Sequence, residues 1–217
     1  ETGKGDADLF VALTLAAAVH DVYTEAVRWA YRARSLLPGT HEFQEGLACF
    51  TLPAAYYGET TRQAGAWGFQ PALLWALMRQ ESLYDPVAVS VAGARGVMQI
   101  MPATLERMTR EGTAPRLPTS ALFRPDVNIA LGTRFLSDRY AEFDRELLPT
   151  LASYNAGEGK VVEWQKRAEG DTGPVFVECI GYPETYKYVR RIPWLQWKYE
   201  TYYGRGEAPV APSPEAR

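Results

Sequence analysis

The stretch RQESLYDPVAVSVAGARGVMQIMPAT, residues 79–104, marks a change of character in this chain. Upstream of it, Leu73-Leu74-Trp75-Ala76-Leu77-Met78 continues a helix that the proline at position 71 starts and that runs to about Ser82. From Tyr84 to Gln99 the helical stripe gives way to Gly, Pro and short β-branched alternations, a loop of the kind that carries function. Glu81 stands at the junction, seven residues after Leu74, four after Leu77 and three after Met78. Those positions share one helix face, so the carboxyl extends an apolar stripe instead of facing water. Ionising it there is costly, and desolvation raises its pKa. A carboxylic acid still protonated near neutral pH can give its proton to a leaving group. The competing reading makes Glu81 a helix-end residue that points outward or pairs with Arg79 or Arg95, and position alone leaves both open.

Outward from this stretch the chain reads as helices. Residues 1–6 (ETGKGD) are polar and Gly-rich and are expected to be an irregular start. Helical spacing then runs from Ala7 to about His20 and from Tyr23 to Leu37, where Pro38-Gly39 closes it. Further helices are expected from Pro53 to about Gly65, from Pro102 to Glu111, from Pro125 to Phe143, from Leu147 to Ala156 and from Gly159 to Ala168. A last one starts near Glu184 and carries Tyr188, Ile192, Leu195 and Tyr199 on one face, with Pro193 as a candidate kink. The tail from Gly204 is Pro/Ala-rich and expected to be disordered. The fold class is mainly α with at most a small β element. The domains read as an N-terminal helical segment (1–49), a main domain (50–203) and a tail (204–217).

Composition narrows the function. With 47% hydrophobic and 23% charged residues, the chain is neither disordered nor collagen-like. A net charge of −3 argues against a nucleic-acid footprint, and two Cys with two His argue against a structural zinc site. The longest apolar run, Leu9–Val19, has 11 residues, where a bilayer span needs about 20, so no transmembrane segment is expected. It also lacks the basic flank and cleavage site of a signal peptide. Aromatics reach 12%, enough for a large core and for surfaces that stack on sugars.

Four elements occur in order: Glu81-Ser82, then Gly96-Val97-Met98-Gln99, then Tyr154-Asn155 in an Ala-rich helix, then Glu184-Thr185-Tyr186-Lys187-Tyr188-Val189. Together they resemble the signature of the soluble lytic transglycosylases, which share the goose-type lysozyme architecture. Leu52-Pro53 with Tyr56 resembles the start of that catalytic domain, and the resemblance covers about residues 50–200. It implies a lysozyme-like fold and cleavage of peptidoglycan glycan strands between N-acetylmuramic acid and N-acetylglucosamine, in the periplasm or elsewhere in the envelope, without a cofactor. Glu81 matches the family's single catalytic acid, while Ser90, Gln99, Met101, Tyr154, Asn155 and Glu184 match positions that line or order its active site. The family's Ile-Pro-aromatic-x-Glu-Thr becomes Ile180-Gly181-Tyr182-Pro183-Glu184-Thr185 here, and Tyr186 replaces a common Arg, which bears on the role of Glu184.

A one-carboxylate site works if the substrate supplies its own nucleophile, whereas most glycosidases use two carboxylates. Asp85, four residues beyond Glu81 and ahead of Pro86, reads better as a residue that orders the loop. Gln99 and Asn155 carry amides suited to N-acetyl and hydroxyl groups. Tyr154 could place its hydroxyl near the reacting sugar, Ser90 could bond Glu81 or the leaving oxygen, and Met101 could pack on a sugar face. Two alternatives stay open: a goose-type lysozyme that hydrolyses the same bond, and a non-catalytic wall-binding or scaffold domain. In an exported enzyme Cys49 and Cys179 could form a disulfide, and spacing alone leaves two separate thiols equally open.

Overall fold

A computed structural model of the protein describes residues 2–36 and 46–204. Two helices open it, α1 (Thr2–Val19) and α2 (Tyr23–Leu36), turned against each other at Asp21, whose backbone is left-handed (φ 56°). Alanines at 7, 26, 30 and 33 are buried and allow close approach, and Phe10 stacks on Trp29 with ring centroids 5.4 Å apart. The Gly-rich start expected to be irregular is part of α1 instead. A helix already packed along its later turns extends at the gain of one hydrogen bond per residue, which outweighs the propensity of Gly3 and Gly5. The expected stop at Pro38-Gly39, and all of the tail beyond Gly204, lie outside the described residues.

The hairpin is joined to the main domain. Val27 sits in the main core, Thr24 donates to the Leu83 carbonyl at 3.0 Å, and Tyr31 accepts from Arg79 at 2.9 Å. After α3 (Ala48–Thr51) the chain does not turn helical at Pro53 as expected; α4 spans Tyr57–Trp67. Between them the carbonyls of Leu52, Pro53 and Ala55 accept from Tyr203 (2.6 Å), Tyr199 (3.3 Å) and the Trp75 indole (3.0 Å). Side chains from elsewhere in the fold consume the acceptors that a helix would have used.

Helix α5 (Pro71–Ser82) forms the centre. Ala72 through Arg79 are all buried, and each fully enclosed leucine of that run contributes about 2 kcal/mol. Around it lie α6 (Pro102–Arg110), a 3₁₀ turn (Thr119–Phe123), α7 (Pro125–Glu142), α8 (Leu147–Ala156), α9 (Glu158–Arg167), α10 (Pro174–Glu178) and α11 (Pro183–Tyr203). Five of these α-helices, α5, α6, α7, α10 and α11, carry Pro at their first position, where its missing N–H costs nothing. The long α11 lays Tyr188, Val189, Ile192, Leu195 and Tyr199 on α5 and passes through Pro193 without ending. The 3₁₀ turn and α10 are too short for periodicity to reveal. Cys49 and Cys179 are not bridged, and the Cys49 thiol donates to the Gly46 carbonyl at 3.4 Å.

The loop between α5 and α6 contains the β character expected, two isolated antiparallel bridges that pair Arg95 with Val89 and with Ile100. With so short a ladder, its shape depends on side chains. Asn128 of α7, fully buried, accepts from the Met98 amide (2.7 Å) and donates to the carbonyls of Arg95 and Leu122 (2.8 Å each). Gly96 lets that approach happen. It holds φ +76°, and a Cβ there would stand 2.2 Å from the Leu122 oxygen and 2.5 Å from Asn128 Nδ2. Gly132 does the same for Met98, whose Sδ would lie 2.6 Å from an added Cβ.

These geometries separate two glycines of one loop. Gly93 also has positive φ (+89°) but faces open space. Gly93→Ala should therefore lose about 1 kcal/mol and Gly96→Ala on the order of 3 kcal/mol, since backbone strain and a clash with an immobile carbonyl add. Urea unfolding of both variants checks this; equal losses would mean that the Asn128 contact is slack.

Candidate active site

Glu81 occupies the last turn of α5, where the chain leaves the helix through two left-handed residues, Leu83 (φ 54°) and Tyr84 (φ 67°). Tyr84 is buried, its hydroxyl shares a hydrogen bond with that of Tyr199, and its carbonyl accepts from Tyr56 at 3.1 Å. Ser82 closes the junction, donating to the Val97 carbonyl at 2.9 Å, so helix end and loop tip are joined beside Glu81. Glu81 keeps partial contact with solvent while protein surrounds the rest of it.

The opposite wall comes from α8 and α11. Tyr188, 3% exposed, donates its hydroxyl proton to Glu81 Oε1. Tyr154 donates to the Met98 carbonyl at 2.9 Å and is close enough for the Glu81 charge to be felt at its phenol. Burial pushes both phenols well above their usual range, so they remain neutral donors at any physiological pH. Asn155 links the two helices: Thr185 donates to its Oδ1 at 2.6 Å, and its Nδ2 donates to Glu184 Oε1 at 3.4 Å. Glu184 itself is exposed.

The Glu81 carboxyl is pushed up to about 7. Burial is the largest cause, the negative charge of Glu184 adds to it, and the Tyr188 hydrogen bond opposes both by favouring the charged form. The C-terminal end of α5, with its partial negative charge, disfavours a carboxylate in the same sense. The reading in which Glu81 pairs with Arg79 or Arg95 is overturned. Arg79 turns the other way, donating to the Thr51 carbonyl (2.5 Å) and Tyr31, and Arg95 lies over the Phe123 ring at 5.5 Å.

Glu81, Tyr154, Asn155 and Glu184 are therefore drawn together from three helices. Ser90, Gln99 and Met101 have their bonds within the loop and at the start of α6. Ser90 Oγ accepts from the Ala94 amide at 3.0 Å and closes its own turn. Gln99, at φ 51°, donates from its side-chain amide to the carbonyls of Gly96 (2.9 Å) and Ala88 (3.3 Å). Met101 caps α6 through its backbone and is half-buried. Asp85 accepts from the Val87 amide at 2.9 Å, in line with a loop-ordering role. Tyr188, Thr185 and Asn128 were missed as site residues. Tyr188 and Thr185 stood in the Pro183–Val189 run, but an aromatic on the core face of a helix gives no outward sign of a polar task. Among the described residues no group of three or more His, Cys, Asp or Glu could hold a metal ion. What the site offers is a proton on a carboxyl poised near neutrality, with a neutral phenol ready to stabilise the anion left behind.

Comparison with known proteins points to one family. The profile of the transglycosylase SLT domain matches residues 60–174, just over half of the chain. The soluble lytic murein transglycosylase of Salmonella typhimurium is 34% identical over 165 residues, which is 75% of this chain and 25% of the relative. Among solved structures, an inactive mutant of the lytic transglycosylase Slt from Pseudomonas aeruginosa superposes with a TM-score of 0.73 at 28% identity, over 90% of this chain and 30% of that one. The 70-kDa soluble lytic transglycosylase from Escherichia coli gives a TM-score of 0.74 at 26% identity, over 91% and 30%. The chain thus spans about a quarter to a third of the length of these proteins.

The site sets the sign of a pH effect. A carboxyl with a folded-state pKa near 7 against an ordinary 4.5 favours the fold while protonated. That contribution is complete below about 4.5, is lost as pH rises, and levels off above 7. Glu81→Gln should gain on the order of 3 kcal/mol over wild type between pH 4 and 8. Melts across that range check it; a constant difference would mean a solvated carboxyl. Carbon-13 NMR titration of Glu81 should move further up in Tyr188→Phe, which removes the donor to the anion.

Proposed function

We propose that this chain, which belongs to the transglycosylase SLT domain family, cleaves the β-1,4 bond between N-acetylmuramic acid and N-acetylglucosamine in peptidoglycan, without consuming water. The observation that carries the reading is Glu81, a half-buried carboxyl raised to about 7 with a phenol, not a cation, on its oxygen. Such a group can act first as an acid and then as a base.

In the first step Glu81 protonates the glycosidic oxygen, the bond to C1 of muramic acid breaks, and N-acetylglucosamine departs with a free 4-hydroxyl. The sugar's own N-acetyl oxygen stabilises the oxocarbenium character at C1. Tyr188 meanwhile hydrogen-bonds the Glu81 carboxylate that has just formed. In the second step that carboxylate takes the proton of the C6 hydroxyl, and O6 closes onto C1. A 1,6-anhydromuramoyl end results, and Glu81 is protonated again. Asn155, held by Thr185, presents its amide beside Glu184 for substrate N-acetyl or hydroxyl groups. Glu184 keeps the proton affinity of Glu81 high. Ser90 and Gln99 serve the same end indirectly, by holding the loop that carries Met98. Asp85, turned into its own loop, is unsuited to activate water, which favours transfer over hydrolysis. The substrate places this activity in the cell envelope.

Mass spectrometry of purified peptidoglycan digested by the chain should find muropeptides lighter by one water than lysozyme products. Glu81→Gln should release them about 10²–10⁴-fold more slowly. Products that carry the extra water would make the chain a hydrolase. Undiminished release by Glu81→Gln would remove Glu81 from the chemistry.

A further inference from the structure

Helix α11 has a second face. Its core residues Tyr188, Ile192, Leu195 and Tyr199 point inward, and on the opposite side Lys187, Arg190, Arg191, Trp194, Trp197 and Lys198 recur at three- and four-residue intervals. They form one stripe about 16 Å long at 1.5 Å per residue. The two indoles, three positions apart on the same face, are 50% and 57% exposed. None of the four cations pairs with a carboxylate among the described residues. Lys198 lies over the Trp194 ring at 4.5 Å, and Arg190 donates to Tyr186 at 2.7 Å, a phenol bonded in turn to Glu178. Glu200 lies to one side of the stripe and is bonded by Gln196.

From this face we infer that α11 docks the protein on an anionic lipid surface. The charge is complementary locally although the chain as a whole carries −3, so attraction must act through this stripe and orient the molecule. Indoles partition to the headgroup boundary, and lysine and arginine beside them meet lipid phosphates. The six side chains of the stripe include no carboxylate or amide, and Glu184, Gln196 and Glu200 only border it, whereas a site for a glycan strand surrounds its aromatic ring with such groups to bond hydroxyls. The inference does not depend on the reaction proposed above, since none of these six side chains belongs to the catalytic group.

The test is co-sedimentation of the chain with vesicles of phosphatidylcholine alone and of phosphatidylcholine mixed with phosphatidylglycerol. Binding to the mixed vesicles only, weakened by salt, is expected. It should fall at least about tenfold in the double variant Trp194→Ala/Trp197→Ala and in the triple variant Lys187→Gln/Arg191→Gln/Lys198→Gln, each first shown to melt like wild type. Equal binding to both vesicle types, binding unaltered in the variants, or no binding would overturn the inference. So would stripe-dependent retention of Glu81→Gln on insoluble peptidoglycan without retention on vesicles, which would assign the face to the wall polymer.

Discussion

The side-chain amide of Asn128 joins three backbone groups from the loop before α6 and from the 3₁₀ turn. The loop of residues 84–99, with two isolated bridges, has too little ladder to hold its own backbone, and a buried, unpaired amide or carbonyl costs about 1–3 kcal/mol. Asn128 bonds three buried backbone groups at once, the Arg95 carbonyl being shared with the Ile100 amide. Its bond to the Met98 amide holds the peptide before Met98, and the carbonyl of the next peptide receives the Tyr154 hydroxyl. The Met98 side chain is in turn seated by the missing Cβ of Gly132. From Asn128 to the ring beside Glu81 the path is two hydrogen bonds long. Position in the site is therefore determined by a residue that faces away from it.

Two charges on α5 are handled in opposite ways. Arg79, 6% exposed, remains a buried cation because a carbonyl, a phenol and the Tyr31 ring at 5.6 Å receive it. These contacts also tie α2 to α5, so the N-terminal hairpin is part of what holds the helix that carries Glu81. Glu81, two residues on, receives no cation. A guanidinium at that distance would pull its pKa down by about 1–3 units and leave it ionised at neutral pH. The rotation of about 200° between the two positions sends the cation to one side of the helix and the acid to the other.

How far the sequence was legible depends on which interactions were local. The spacing of Glu81 from Leu74, Leu77 and Met78 exposed the odd carboxyl, and prolines at 71, 102 and 125 marked helix starts correctly because N1 proline acts within one turn. Pro53 misled for a non-local reason: tyrosines about 150 residues downstream take the carbonyls around it. Tyr188 was visible as a core aromatic and as part of a motif, but its hydroxyl acquires meaning from a partner 107 positions away. Asn128 looked like an ordinary helix residue for the same reason. Ser90 and Gln99 were read from resemblance as residues that line or order the site, and their side chains bond their own loop, as an ordering role requires. A motif records that a residue type is required at a position, and loop architecture can impose that requirement as well as substrate can.

On the proposed mechanism, the balance at Glu81 explains why a protein would keep so unfavourable a group. An acid that donated readily but could not bear ionisation would be unable to wait as a carboxylate for the second proton. One that was comfortable as a carboxylate would lack the proton for the first step. Burial and Glu184 push the group toward the acid, and Tyr188 draws it back toward the anion, leaving it near 7. Both modulators ride on α11, one turn apart, with Thr185 between them holding Asn155. Because α11 also packs along α5 through Ile192, Leu195 and Tyr199, the relative position of acid and modulators is set by the contact between these two helices in the core. The proton affinity of the site is thus a property of core packing, and any shift of α11 along α5 would change it before it changed the shape of the surface.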